Sequence, residues 1–326
     1  MIQPHELKLH LPVKVALGME SDTGALWELI QASFNGDLDQ VKSLVNSCPG
    51  LIYAQYNYTP PIHFAVREGH VALVNYLLGE GALDPSYKTY PFLDSLLTMA
   101  EERGYAEIVG MLKSYLADTQ VVKISGDNGE INYLRNAIQQ EFEQAVDQHQ
   151  YETVKEILEK KPQFALDETY FWNEGILMMP AKDGDIEMLD LLMSYGATVP
   201  VISKWGQFYY FKKNEIASYL LEHGMDPNHH SWQGVSLLHD MAQKGDLQKA
   251  DLLIKYGANL NTIDDEYQST PLGIAARWGQ DAMVELLLDH GADPRLSGAT
   301  WSIPLAWARA KHLQAIEKML EKKIAK

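Results

Sequence analysis

The chain has 326 residues, enough for one elongated domain or two ordinary ones, and its 46% hydrophobic content is that of a folded protein. Its 44 acidic residues against 27 basic ones give a net charge of −17. That balance opposes sequence-independent binding to nucleic acid, which depends on neutralising phosphates, and equally opposes an anionic membrane surface. No apolar run approaches the ~20 residues of a membrane-spanning helix. The single Cys48 leaves no internal disulfide and fits a reducing cytoplasm.

Residues 1–24 form an arm or cap outside any repeat. His10, Pro12 and Lys14 interrupt its apolar residues and make it a poor signal peptide. The alternation of Leu7, Leu9, Leu11, Val13 and Val15 predicts an extended strand lying on the first helices. One phrase then recurs: "GDLDQVKSLVNSCP" from Gly36, "GHVALVNYLLGEGALDP" from Gly69, "GDIEMLDLLMSYGAT" from Gly184, "GDLQKADLLIKYGANLN" from Gly245 and "GQDAMVELLLDHGADP" from Gly279. The first glycine recurs after 33 residues (Gly36 to Gly69) or 34 (Gly245 to Gly279), and the second follows the first by twelve, as in Gly245 and Gly257. "ADTQVVKISGDNGE" (117–130) breaks the helical period and predicts a linker or inserted hairpin. On either side of it, "NGDLDQVKSLVNSCPGL" (35–51) aligns with "QHQYETVKEILEKKPQF" (148–164), so the array divides into two blocks, 25–116 and 131–326. Gly224 follows Gly196 by only 28 residues, and this shortened unit contains Trp205, Phe208, Tyr209, Tyr210 and Phe211. These rings either fill the gap left by the missing residues or form a specialised surface. "LQAIEKMLEKKIAK" (313–326) puts Ile316, Met319 and Leu320 on one face and charges elsewhere, as a polar capping helix must.

Within one unit the physics is explicit. The hydroxyl of Thr270 can cap a helix, and Pro271 sits at the first helical position, where its missing N–H costs nothing. Leu272, Ala275 and Ala276 make a short apolar face. Gly279 ends that helix, Val284, Leu287 and Leu288 give a second helix one apolar stripe, and Gly291 ends that in turn. So short a pair cannot bury both faces alone, whereas stacked copies can. Period, paired glycines and the openings "TPLG" at Thr270, "PPIH" at Pro60 and "SLLH" at Ser236 together resemble the ankyrin repeat. The resemblance implies an all-α solenoid of helix–turn–helix units with β-turn or hairpin fingers, about nine units in all, three before the linker and six after it.

Candidate chemistry is sparse. There is no P-loop, dinucleotide fingerprint, Gly-x-Ser-x-Gly elbow or His-Glu-x-x-His motif. Cys48 at a helix end reads as a core residue. His239 occupies the place where the resemblance implies a histidine bonding neighbouring turns. His223 and His290 precede closing glycines, where a hydrogen-bonding side chain is favoured. His229 and His230 alone make no convincing metal site. The acidic pairs Asp264–Asp265 and Glu101–Glu102 read as solvated carboxylates of loops and helix ends. No catalysis, metal or cofactor is expected.

In ankyrin-like arrays the fingers and first helices form a concave face on which partners bind. Counting back from each first glycine, the finger tips carry Tyr56, Phe92, Trp172 with Phe171, Trp232 and Tyr267, with Trp301 one place later in the last unit. Exposed rings at regular spacing suggest a contact surface, the alternative being ring-on-neighbour packing. The candidate contacts are Tyr56, Asn57, Phe92, Phe171, Trp172, Trp232, Gln233, Glu266, Tyr267 and Trp301. The reading is a monomeric, cytoplasmic module for protein–protein interaction, holding a protein or peptide, favoured by charge to be basic. One alternative is a spacer or inhibitor acting by steric occlusion. Another is a small-ligand, carbohydrate or enzymatic site at 203–211.

Overall fold

The computed structural model of the chain describes residues 1–117 and 137–325. The linker or hairpin expected at 117–130 lies, apart from Ala117, outside the described residues. Contacts divide the chain into two compact units, residues 3–134 and residues 135–326 together with Met1 and Ile2.

The first unit opens with an antiparallel hairpin, β1 (Pro12–Val15) and β2 (Met19–Asp22), with Val13 opposite Ser21. Paired helices follow: α1 (Thr23–Asn35) with α2 (Leu38–Ser47), α3 (Pro61–Arg67) with α4 (Val71–Gly79), and α5 (Leu96–Glu102) with α6 (Ala106–Ala117). The first members stack as α1 on α3 on α5, and α4 packs on α6. The strand expected along residues 7–15 is shorter than the alternation predicts. Leu7 lies in a 3-10 turn (Glu6–Lys8) and is buried, Leu9 is exposed, and pairing begins only at Pro12. The polar groups of Glu6 and Thr23 decide this. Thr23 Oγ1 donates to the Glu6 carbonyl at 2.9 Å and accepts from Leu11 N at 3.0 Å, which holds the arm in a turn.

The second unit contains α7 (Ala137–Asp147), α8 (Tyr151–Lys160) and a single turn, α9 (Tyr170–Asn173), interrupted by left-handed Phe171 and Trp172. Then come α10 (Met178–Asp183), α11 (Ile186–Ser194), α12 (Gly206–Tyr209), α13 (Asn214–Glu222), α14 (Leu237–Lys244) and α15 (Leu247–Lys255). The unit ends with α16 (Pro271–Arg277), α17 (Asp281–Asp289), α18 (Pro304–Ala310) and α19 (Gln314–Ile324). The inner helices α10, α12, α14, α16 and α18 stack in that order, as do the outer helices α13, α15, α17 and α19.

The recurring Gly-Asp pair is the joint between the two helices of a unit. At Gly245 (φ 69°) the chain enters the left-handed region that ends α14, and Asp246 Oδ1 then accepts the N–H of Lys249 at 3.1 Å to start α15. Asp37 and Asp185 cap α2 and α11 in the same way. The Thr-Pro opening does as its chemistry predicts. Thr270 Oγ1 accepts from Gly273 N at 3.3 Å with Pro271 at the first helical position. Replacing Thr270 by Ala should lower stability by about 1 kcal/mol, and by Ser much less. Urea midpoints check this, and an equal loss in both variants would assign the role to the threonine methyl instead.

The shortened unit loses residues mainly from its finger: α12 begins ten residues after Gly196 where α16 begins fourteen after Gly257, whereas α12 to Gly224 spans 18 residues and α16 to Gly291 spans 20. Tyr210 and Phe211 are wholly buried, while Phe208 is 43% exposed. The rings of this unit therefore divide between packing and surface. Among the described residues, no helix is long and apolar enough to cross a membrane.

Candidate functional site

Each finger is a tight turn, and its backbone determines which side chain reaches solvent. At Tyr56–Thr59 the N–H of Thr59 donates to the Tyr56 carbonyl at 3.0 Å and the reverse bond is 3.3 Å. Asn57 (φ 47°) and Tyr58 (φ 57°) between them are both left-handed, the geometry of a type I′ hairpin, which asparagine tolerates well. Consecutive left-handed residues recur at Phe171 and Trp172, and single ones at Leu93, Gly234 and Gln268. At three fingers a buried ring is followed one or two places later by a residue that points out. Tyr56 is buried and bonded through its hydroxyl to the Glu6 carboxylate, while Tyr58 is 41% exposed. Phe92 and Phe171 are buried, while Leu93 and Trp172 are each 61% exposed.

The expectation of solvent-exposed rings at the tips is therefore corrected. Tyr56, Phe92, Phe171, Trp232 and Tyr267 are buried, as are Asn57, Gln233 and Glu266. Of the expected contacts, Trp172 is exposed and Trp301 partly so. Among the fingers from 231 to 302 the cause is finger-to-finger bonding, which lays one turn over the next, whereas Tyr56 is covered by the arm through Glu6. Asp265 N donates to the Gln233 carbonyl at 2.9 Å, Gly298 N to the Gln268 carbonyl at 2.7 Å, and Ser269 Oγ to the Ser302 carbonyl at 3.1 Å. Tyr267 consequently sits edge-on to Trp278 (5.7 Å between centroids) and Trp307 (6.2 Å), with the Arg277 guanidinium 4.2 Å from its ring centroid. The outward residues Tyr58, Leu93 and Val201 escaped the sequence reading because it counted only rings at a fixed offset. Asn57, a residue at ease in left-handed backbone, was the available signal for the first of them.

Three of the histidines bond neighbouring turns or helix ends. His239 Nδ1 lies 2.7 Å from Ser236 Oγ and Nε2 lies 3.1 Å from the Ser269 carbonyl, which ties one finger to the next. His223 Nδ1 reaches the Tyr219 carbonyl at 2.7 Å, at the end of α13. His229 is buried. Its Nε2 is 2.7 Å from Ser203 Oγ, and burial lowers its proton affinity to a pKa of about 4. Asp264 is likewise buried and not solvated. It accepts from the N–H groups of Tyr267 (2.6 Å) and Ser269 (3.1 Å), and burial raises its pKa to about 7.

At the shortened unit, Glu174, Ser203 and His229 form a polar cluster that the sequence did not reveal. Glu174 Oε1 accepts from Lys204 N (3.1 Å) and Trp205 N (2.9 Å), and the Tyr210 hydroxyl donates to the Glu174 carbonyl. Burial raises the Glu174 carboxyl to about 7 despite those bonds. Glu174, Ser203 and His229 are all buried, and the acid lies beside the serine, whereas the second histidine nitrogen is held by the Pro200 backbone. A nucleophile and its base must face a reacting atom, and this pair faces protein. The cluster joins the finger at 170–176 to that at 200–205, where Pro200 Cγ also comes within 2.7 Å of the place a β-carbon on Gly175 would occupy. Among the described residues no three histidine, cysteine or carboxylate side chains converge as a metal site.

Comparison with known proteins places these helix pairs. A family model for three copies of the ankyrin repeat matches residues 207–297, and a single-repeat model matches residues 57–90. The chain is similar to the ARF GTPase-activating protein GIT1 of Homo sapiens, at 35% identity over 85 residues, which are 26% of this chain and 11% of that protein. It is also similar to the palmitoyltransferase ZDHHC13 of Mus musculus, at 42% identity over 77 residues, which are 24% of this chain and 12% of that one. The chain thus spans about a tenth of the length of these relatives. The stacked pairs of helices, their left-handed glycine joints, the finger-bridging histidine and the two family matches show that this chain contains ankyrin repeats.

Proposed function

We propose that the chain is a binding module that holds a protein or peptide against the exposed residues of its fingers and the adjoining inner helices. Ankyrin repeats generally mediate protein–protein interaction, and fold alone does not fix function, so the reading rests on the site. The observation that carries it is the division of labour within the fingers. Buried rings fix the turns, and large apolar side chains that fixed turns hold in water are left at Tyr58, Leu93, Trp172 and Val201. Exposed apolar groups on a rigid support are what a partner can cover at little ordering cost. We read the array as about nine units in two blocks joined near 117–130, working in the cytoplasm.

The test is affinity capture with wild type and with a variant carrying Tyr58→Ser, Leu93→Ser, Trp172→Ser and Val201→Ser. These exposed positions should leave the circular dichroism spectrum and melting temperature near wild type. Partners captured by the wild type should be lost by the variant. Equal capture by both proteins would remove the fingers from the interface.

A further inference from the structure

The shortened unit differs from the rest of the molecule in charge as well as length. From Tyr195 to Lys213 the chain carries Lys204, Lys212 and Lys213 and no acidic residue, within a protein of net charge −17. The same stretch leaves Val201 68% exposed and Phe208 43% exposed, and Trp205 partly so. Trp205 and Phe208 lie 5.4 Å apart between ring centroids, which makes one continuous aromatic surface. The finger bearing Trp172 is attached to it, because Glu174 Oε1 accepts the N–H of Trp205. On the other side, the Lys244 ammonium at the end of α14 lies 4.9 Å from the Phe208 centroid.

Lys244 determines what can cover this surface. Its ammonium has three donors, and Asp240 Oδ2, buried beneath it, takes one at 2.7 Å. The Lys244 side chain is 43% exposed, so solvent serves the remainder. An apolar group laid on Phe208 would strip that water from the ammonium, a costly change unless the same partner supplies an oxygen anion. A basic partner, which the net charge of the whole chain favours, would place a like charge there.

We propose that Trp172, Val201, Trp205, Phe208 and Lys244 form a docking surface for an acidic peptide segment with an apolar anchor. The anchor covers Phe208 and an adjacent carboxylate pairs with Lys244. This rests on the reading of the chain as a protein-binding module and gives that module a partner chemistry opposite to the one its net charge suggests.

The experiment is selection of random dodecapeptides displayed on phage against the full chain. Enriched sequences are then synthesised and their affinities measured by fluorescence polarisation for wild type, Phe208→Ser, Lys244→Glu and Ile186→Ser, the last on an outer helix. Enriched peptides should be acidic with a large apolar residue. They should lose about tenfold or more in affinity for the first two variants and bind Ile186→Ser as wild type. Lys244→Glu alters an exposed side chain and keeps the test decisive if Phe208→Ser misfolds. Enrichment of basic peptides, or affinities that neither variant changes, overturns this surface while leaving a binding module in place. Failure to enrich any peptide counts against both.

Discussion

Replacing Tyr267 by Ala should destabilise the unit of residues 135–326 by about 3–5 kcal/mol, the usual loss for a buried aromatic ring, while Trp172→Ala should fall within about 0.5 kcal/mol of wild type. Both residues stand in finger turns, and both are large and aromatic. They differ in what the fold puts around them. Tyr267 is wholly buried against Trp278 and Trp307, and its hydroxyl accepts from Arg277 Nη2 at 3.3 Å. Loss of the ring leaves a cavity and removes the face on which a buried guanidinium rests, 4.2 Å from the ring centroid. Trp172 is 61% exposed and leaves no cavity. Urea unfolding followed by far-ultraviolet circular dichroism reads both. A near-neutral Tyr267→Ala would mean that the finger rings are not structural anchors. Tyr267→Phe keeps the ring and isolates the hydroxyl, at a cost nearer 1 kcal/mol.

The second large effect is a pH dependence centred on Glu174. Its carboxyl is raised from an ordinary 4.5 to about 7, first by burial, against the opposing bonds from Trp205 N and Lys204 N. A raised folded-state pKa means that the folded chain holds the proton more tightly than the unfolded one. The stability from this group is therefore complete below about 4.5 and is lost as pH rises through about 7. That displacement corresponds to about 3 kcal/mol. Glu174→Gln keeps Oε1 as acceptor for both N–H groups and puts a neutral amide beside the Ser203 hydroxyl in place of the carboxylate. The variant should gain up to about 3 kcal/mol relative to wild type at pH 8 and nothing at pH 4.5, read from urea midpoints. An advantage of the same size at both values would show that the carboxyl does not titrate between them.

The wild type itself should show a smaller slope than these acids alone would give. Asp264, raised to about 7, adds to the loss with rising pH. His229 and His239, both lowered to about 4 first by burial, have the opposite sign. Their stability is complete above an ordinary 6.5 and is lost as pH falls through about 4. Between about 4.5 and 6.5 the two histidines oppose Glu174 and Asp264, with Asp240, whose carboxyl burial also raises, on the side of the acids, so Glu174→Gln exposes part of a slope that the wild type conceals.

Local chemistry was legible in the sequence because each signal acts over a few residues. A glycine that must adopt positive φ, an aspartate that caps the next helix and a proline at a first helical position announce themselves at Gly245, Asp246 and Pro271. Their recurrence at a fixed period identifies the helix pair and the stacked architecture, and the 28-residue spacing marks the shortened unit. Exposure was not legible. Whether a finger ring faces water depends on the handedness of two backbone residues and on a neighbouring finger about one repeat away, as between Asp265 N and the Gln233 carbonyl. The same distance in sequence hid the meeting of Glu174 with Ser203 and His229, and turned Asp264 from a solvated loop acid into a buried acceptor. The sequence by itself determined the repeat, its joints and the class of architecture, because those follow from backbone conformation within one unit. The tertiary structure alone decided which aromatic side chains hold the fingers together and which remain for a partner, because burial is a property of what stacks on top.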